Sequence, residues 1–110
     1  MTAHFLMVCR HRAGLQDVRE ANREAHRRHV ATGGNGLARV LIGSALVGED
    51  GTTPVGNFGV MEAANREAVE AFAATDPYAL AGLVETIEIT ALPAQFQAHR
   101  IDPMTPPFAS

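Results

Sequence analysis

The chain has 110 residues, of which 46% are hydrophobic and 19% charged, and this composition fits a single compact domain. All 9 basic residues are arginines, which excludes Schiff-base chemistry on a lysine and a P-loop with its phosphate-binding lysine. The net charge of -3 argues against a general nucleic-acid-binding protein, and no apolar run is long enough to predict a membrane span.

Positive charge is concentrated near the N-terminal end. Residues 1–40 contain seven arginines and three acids, whereas residues 41–110 contain two arginines and nine acids. Cys9 is the only cysteine, so we expect neither an intrachain disulfide nor a cysteine-based zinc site. With no signal-peptide pattern at the N-terminus, these features predict a cytoplasmic protein.

The first predicted elements are a strand and a long helix. An apolar run from Phe5 to Val8 predicts a strand that ends at the charged segment 9–12. Strong helix formers without proline or glycine predict a helix from Leu15 to about Ala31. The glycine-rich segment 33–36 ends this helix. It follows a helix and precedes a strand, so we interpret it as a turn and not as a phosphate-binding loop.

The remaining elements follow in the order strand, strand, helix, strand. The Asp50-Gly51 pair is a turn signal that predicts a hairpin between its flanking apolar segments, residues 37–47 and 55–61. Asp76 before Pro77 is typical of the start of a short helix. A second helix is predicted over residues 65–74 and a last strand over residues 84–91.

This order of elements is that of a ferredoxin-like βαββαβ fold, in the α+β class. Helices cover only one face of such a sheet, so the other face would expose apolar side chains. We therefore expect a homodimer in which two sheets pack together. We expect a domain of residues 1–96 and an extended C-terminal tail, residues 97–110, which is rich in proline.

One edge of the predicted long helix carries groups that suit an anionic ligand. At about 100° per residue, Arg19, Arg23 and His26 lie beside the face that would pack on the sheet, and away from the acids of the helix. Guanidinium groups bind anions in bidentate fashion, and an imidazole can accept a proton near neutral pH. Spacing alone nevertheless favours the alternative, in which these arginines form ordinary salt bridges.

Three motifs together resemble the YCII family (YciI-like proteins), over about residues 5–96. They are Arg19-x3-Arg23-x2-His26, Gly43 in the following strand, and Asp76-Pro77-Tyr78 followed by Ala81-Gly82. The resemblance implies a ferredoxin-like fold that dimerises as an α+β barrel.

The resemblance also implies a His-Asp pair in a cleft, with His26 as its histidine and Asp76 as its aspartate. Gly43 and Ser44 would line the pocket, although many relatives have proline where this chain has Ser44. A carboxylate that holds one imidazole nitrogen leaves the other as a general base or acid. Such a pair suits elimination, isomerisation or addition of water. Asp76 before a proline also suits a helix cap, and its two oxygens can serve both roles.

Other residues leave alternatives open. His29 lies three residues from His26, which allows a shared metal, but its place on the buried face favours a hydrogen-bonded core histidine. Tyr78 either offers its hydroxyl to the pocket as a substrate-binding group or covers the sheet edge, and we favour the second. No metal or other cofactor is predicted. No serine or cysteine is clearly placed as a nucleophile, so acyl transfer is less favoured.

Three functions therefore compete. In the first, a small enzyme uses His26, supported by Asp76, to move a proton on a small polar or anionic substrate held by Arg19 or Arg23. In the second, the same cleft binds a small ligand without reaction. In the third, the chain is a structural dimer module and the arginines lie in subunit contacts. None of the three includes a nucleic-acid or membrane partner.

Overall fold

The computed structural model describes residues 2–108. The elements are β1 (Ala3–His11), α1 (Gln16–Gly36), β2 (Arg39–Val47), β3 (Pro54–Ala63), α2 (Arg66–Thr75), α3 (Pro77–Leu80) and β4 (Val84–Ala91), followed by a 3₁₀ turn at Ala98–Arg100. The four strands form one antiparallel sheet in the order β2-β3-β1-β4. This is the predicted α+β, ferredoxin-like arrangement, and the prediction is confirmed.

The core lies between one face of the sheet and the helices. Phe5 and Met7 of β1 pair with Met61 and Gly59 of β3, so their side chains share the helix-facing side. Phe72 of α2 packs in the same buried cluster. Within residues 2–108, no helix is both long enough and apolar enough to cross a membrane.

Strand β1 is longer than the sequence predicts. We expected it to end before the charged segment that begins at Cys9, but it continues to His11. The physical reason is its central place in the sheet, because β3 pairs with it as far as Arg10 on one side and β4 pairs with it as far as His11 on the other. Backbone hydrogen bonds on both sides outweigh the low strand propensity of this segment.

Helix α1 ends in a left-handed turn. Gly33, Gly34 and Asn35 have φ values of 62°, 65° and 63°, so the right-handed helix stops before them. Gly33 is fully enclosed, and a Cβ there would overlap the Ala38 carbonyl oxygen. The glycine-rich segment is thus the turn that the sequence predicts, and it sends the chain directly into β2.

Two side chains fix the loops on either side of β3. Asp50 accepts hydrogen bonds from the Thr53 hydroxyl and from the backbone N–H groups of Thr52 and Thr53, the two backbone bonds both at 2.9 Å. These bonds, the Thr53 hydroxyl bond foremost, lower the pKa of Asp50 to about 2. Asn65 caps α2 by accepting a bond from Ala68 N at 2.9 Å. Both interactions hold the backbone by local side-chain bonds, as expected for turn and cap residues.

The segment after β4 (residues 92–108, the C-terminal segment) returns to the opposite edge of the sheet. Phe96 contacts His4 of β1, with ring centroids 5.7 Å apart. Further on, Met104 N donates to Leu41 O at 3.0 Å and Thr105 N donates to Val40 O at 2.9 Å. Within the described part of the chain, β3 is the only strand paired with β2, so the C-terminal segment covers part of the free β2 edge.

Candidate active site

A cavity of about 500 Å³ lies between α1 and the sheet. Helix α1 contributes one wall with Arg19, Arg23, His26 and Val30. The helical period places Arg19, Arg23 and His26 at one edge of the helix, and the structure brings all three to the same cavity. The volume suits a small organic molecule.

Two glycines create the space on the sheet side. Gly43 of β2 and Gly59 of β3 are paired in register, and both line the cavity. A Cβ at Gly43 would lie 2.7 Å from the Phe58 carbonyl oxygen, and one at Gly59 would lie 2.9 Å from Met61 Sδ. Gly43 has no room for a larger residue because the oxygen belongs to the backbone, whereas at Gly59 the flexible Met61 side chain would have to move. Ser44 also lines the cavity, and its hydroxyl donates to Ala45 O at 3.0 Å.

His26 and Asp76 form a close pair, 50 positions apart in the chain. His26 Nδ1 lies 2.9 Å from Asp76 Oδ1 and 2.8 Å from Oδ2. The two side chains are only 17% and 7% exposed. A carboxylate only accepts hydrogen bonds, so Nδ1 carries the hydrogen that is donated to it. In the neutral imidazole, Nε2 then has a free lone pair, and the ring lines the cavity.

Asp76 serves as a helix cap at the same time. Its Oδ1 accepts a hydrogen bond from Tyr78 N at 2.9 Å at the start of α3, where Pro77 occupies the first position. The cap orients the carboxylate, and α3 packs against α1. The Asp76 carboxylate thus bonds to both the Tyr78 N–H and His26, as the sequence allows, while its role in a catalytic pair stays a prediction.

Tyr78 lies beside His26 and lines the cavity. Their rings are stacked, with centroids 4.1 Å apart and planes inclined by 9°. Burial raises the pKa of Tyr78, while the nearby Arg19 opposes this effect. From the sequence we favoured a Tyr78 that covers the sheet edge. The structure instead stacks Tyr78 on His26, because the turn at Asp76 directs the tyrosine side chain toward α1.

The arginines of the cavity differ in their partners. Arg23 lies 3.7 Å from Glu20, and Arg27 lies 3.6 Å from Glu24, in exposed pairs along the helix. The helical period predicts that these acids lie on a different side of the helix from the arginines. Long side chains three residues apart nevertheless reach each other.

Arg19 makes no such pair within residues 2–108. Its guanidinium lies 5.7 Å from the centre of the Tyr78 ring, and its Nε is buried without a hydrogen-bond partner. No carboxylate of the described residues lines the cavity, so the wall beside His26 is cationic. A buried guanidinium N–H without an acceptor is costly, and an anionic ligand would supply that acceptor.

The cavity also contains residues that the sequence did not indicate. Arg27 lies one turn beyond Arg23, so extending the same helical count by four residues finds it. Asn57 and Phe58 come from β3, and Met104 comes from the C-terminal segment. These residues line the cavity because of the strand register and because the C-terminal segment returns to β2. The sequence contains no local signal for either feature.

His29 and His11 bond to other groups of the protein. His29 Nε2 donates to Phe72 O at 2.8 Å, which matches the interpretation of a core histidine. His11 Nε2 lies 3.0 Å from Asn57 Oδ1. Among residues 2–108, no cluster of three or more histidine, cysteine or acidic side chains is arranged to hold a metal ion.

A comparison with known protein families identifies the family that the sequence motifs resemble. The YCII-related domain family matches residues 3–93, which is most of the chain. The chain belongs to this family. Since this match includes α1 and the Asp76 turn, both members of the His-Asp pair lie within the YCII-related region. Residues 94–108 of the C-terminal segment, which include Met104, lie outside it.

One solved structure similar to this YCII-related chain is that of 5-chloro-2-hydroxyhydroquinone dehydrochlorinase (TftG) from Burkholderia phenoliruptrix AC1100, in complex with 2,5-dihydroxybenzoquinone. The two sequences are 26% identical, the match covers 78% of this chain and 89% of that chain, and the TM-score is 0.65. A comparison with curated proteins gave no match.

Proposed function

We propose that the chain is a small enzyme that transfers protons on a small polar or anionic substrate, with His26 and Asp76 as its acid-base pair. The observation that carries the proposal is the position of His26, which bonds to a nearly buried carboxylate through Nδ1 and lines a cavity with a cationic wall. Proton transfer needs a base beside a bound substrate, and these residues supply both requirements.

In the proposed mechanism, Nε2 of His26 takes a proton from the substrate. The imidazolium that forms is stabilised by Asp76, whose carboxylate also keeps the ring in one tautomer and orientation. The stacked Tyr78 ring restrains the imidazole from one face. Nε2 then returns the proton to another atom of the substrate or releases it to water.

Arg19 is the proposed principal anion-binding residue. Its buried Nε lacks a partner, and it is not paired with an acid of its own helix. Arg23 already lies close to Glu20, so we assign it a supporting electrostatic role. Gly43 and Ser44 define the opposite wall, and Tyr78 provides an aromatic surface against which a planar substrate can pack.

The similarity to TftG, a dehydrochlorinase, supports a catalytic role on a small molecule and favours elimination among the three reaction types. We propose elimination from an oxygen-bearing conjugated ring. On a hydroquinone, His26 first moves a proton from one ring hydroxyl to the ring carbon that bears the leaving group, which makes that carbon tetrahedral and turns the hydroxyl into a carbonyl. His26 then removes the proton of the enol hydroxyl that remains, and the O–H electron pair becomes the second bond of another carbonyl. The C=C bond shifts by one carbon, and the leaving group departs as an anion with the electrons of its own bond.

The experiment is an elimination assay on 5-chloro-2-hydroxyhydroquinone and related chlorinated hydroquinones, with chloride release as the readout. We expect His26→Ala and Asp76→Asn to lower kcat by about 10²-fold or more, since this is the usual contribution of general acid-base catalysis. Asp76→Asn keeps an acceptor for the Tyr78 N–H, so its fold should be retained. His99→Ala is the matched control, because His99 is exposed and outside the cavity.

Binding is measured in parallel by the thermal shift with 2,5-dihydroxybenzoquinone, because a ligand that binds only the folded state raises Tm. Full activity of both folded variants would remove the proposed mechanism. Binding that depends on Arg19 without turnover of any tested substrate would instead support the non-catalytic binding domain.

A further inference from the structure

Asn57 is a polar residue that lines the cavity and has no role in the proposed proton transfer. It lies on β3, paired with Cys9 of β1 and Ala45 of β2, at the end of the sheet that lines the cavity. Its Oδ1 lies 3.0 Å from His11 Nε2, and its Nδ2 makes no hydrogen bond within residues 2–108. Only the amide oxygen of Asn57 is therefore held by the protein.

The surroundings of His11 determine which of its nitrogens carries the hydrogen. Nδ1 is buried without a hydrogen-bond partner, and the ring stands edge-on to Tyr78 with centroids 5.5 Å apart. A buried N–H without an acceptor costs more than a buried lone pair. The hydrogen of the neutral ring therefore belongs on Nε2, where it is donated to Asn57 Oδ1.

The electrostatic surroundings of His11 favour the neutral form of its ring. Burial lowers the pKa of His11, and the neighbouring Arg19 and His26 lower it further, against the opposing effects of Asn57 and Asp76. A neutral ring with its hydrogen on Nε2 can only donate to the amide oxygen. The Asn57 amide is thus fixed with its NH₂ group directed away from His11.

We propose that Asn57 is a substrate-binding residue whose NH₂ group donates a hydrogen bond to a substrate oxygen, and that His11 is the positioning residue that fixes this orientation. The inference rests on the proposed function, because the oxygen in question is the one that gains negative charge when His26 removes its proton. A fixed neutral donor stabilises developing charge without reorganisation. The arginine wall would bind the permanent anion, and Asn57 would bind the reacting oxygen.

The first test reads the His11 tautomer directly. Nitrogen-15 NMR of histidine-labelled protein at neutral pH should show His11 neutral, with hydrogen on Nε2 and a bare Nδ1. Assignment uses the His11→Gln variant. Hydrogen on Nδ1, or a charged ring at neutral pH, would overturn the inference without affecting the roles of His26 and Asp76.

The second test measures binding of 4-hydroxybenzoate, a planar probe with a carboxylate for the arginines and an oxygen at its other end, with benzoate as the probe that lacks this oxygen. In the wild-type protein, the Asn57 side-chain NH₂ signals should shift with 4-hydroxybenzoate more than with benzoate. Asn57→Asp replaces the donor by an acceptor, and we expect it to weaken 4-hydroxybenzoate binding by about tenfold or more.

The role of His11 is separated from a structural role by two substitutions. His11→Gln supplies an amide donor for Asn57 Oδ1 and should keep affinity within about threefold of the wild type, whereas His11→Leu should lose most of the 4-hydroxybenzoate preference. Asn35→Asp, in the exposed turn after α1, is the control for the amide-to-acid change. Equal affinity of wild type and Asn57→Asp, or an unchanged Asn57 signal at millimolar probe, would overturn the proposal.

The two proposals fail in different ways. Binding that depends on Asn57, in a protein that releases no chloride from any tested hydroquinone, would reject the proposed elimination and retain the donor role. Elimination that depends on His26 but is unaffected in kcat and KM by Asn57→Asp would retain the enzyme and reject the donor role.

Discussion

Cys9 illustrates how burial determines the chemistry of a single residue. It is 4% exposed on the helix-facing side of β1. Burial, followed by the negative charge of Asp76, raises the pKa of its thiol to about 12. The thiolate is the reactive form, so a thiol held protonated in the core cannot act as a nucleophile at neutral pH. This agrees with the expectation that no cysteine of the chain is placed for acyl transfer.

The prediction for Cys9 is slow alkylation in the folded protein. At pH 8 in excess iodoacetamide, the native chain should remain unmodified over hours, whereas the chain in denaturant should gain one adduct within minutes, as measured by intact mass. Folding raises this pKa above its ordinary value of 9.0, so the stability linked to it is present below pH 9 and declines as pH rises toward 12. Rapid alkylation of the native protein would contradict the burial.

At the scale of elements, Thr105 fixes the C-terminal segment to the domain. It is 1% exposed, its hydroxyl donates to Val30 O at 2.5 Å, and the same oxygen accepts from Val40 N at 3.0 Å. The Arg39 side chain bonds to Thr105 O and to Glu62. The division into a domain of residues 1–96 and a tail of residues 97–110 stays a prediction, and residues 109–110 lie outside the described residues. The bonds of Thr105 link this segment to both α1 and β2.

We predict that Thr105→Val destabilises the fold. The valine has nearly the same volume but leaves the Val40 N–H without its acceptor, so the free energy of unfolding should fall by about 1–3 kcal/mol. Urea denaturation followed by circular dichroism measures the change. Thr86→Val, on an exposed position of β4, is the matched control and should have little effect. A Thr105→Val midpoint equal to that of the control would show that the segment is not anchored in this way.

At the scale of the whole molecule, the two faces of the sheet differ. The helices cover one face, while the other carries apolar side chains from β1, β2 and β3 that the described residues leave partly exposed: Leu6, Val8, Ile42 and Val60. Ile42 is 46% exposed. The C-terminal segment contacts this face at His4. The homodimer expected from the sequence stays a prediction, and this uncovered face supports it because contiguous apolar surface favours association.

The homodimer prediction is tested by measuring the molecular mass of the protein in solution. Light scattering across a dilution series should give about twice the chain mass of 11.7 kDa. Val60→Glu places a charge in the middle of the uncovered face and should convert the protein to folded monomers. Leu80→Glu, at a 74% exposed apolar residue of α3, should leave the dimer intact. A wild-type protein that stays monomeric at high concentration would exclude sheet-to-sheet packing.

Much of the fold and part of the site follow from local sequence. The periodicity and turn residues predict the order of elements, and the 3.6-residue period places Arg19, Arg23 and His26 together because positions three and four apart share one side of a helix. The Asp76-Pro77 pair predicts the cap because it is set by adjacent residues. Each of these is a short-range effect.

Only the tertiary structure decided which distant residues meet. The pairing of Gly43 with Gly59 that opens the cavity depends on the register between β2 and β3. The contact of His11 with Asn57 and the return of Met104 to the cavity depend on how separate strands and the C-terminal segment pack. The sequence determined the elements and the helix edge that carries His26, because these depend on near neighbours. The composition of the cavity depends on long-range packing, which no local pattern encodes.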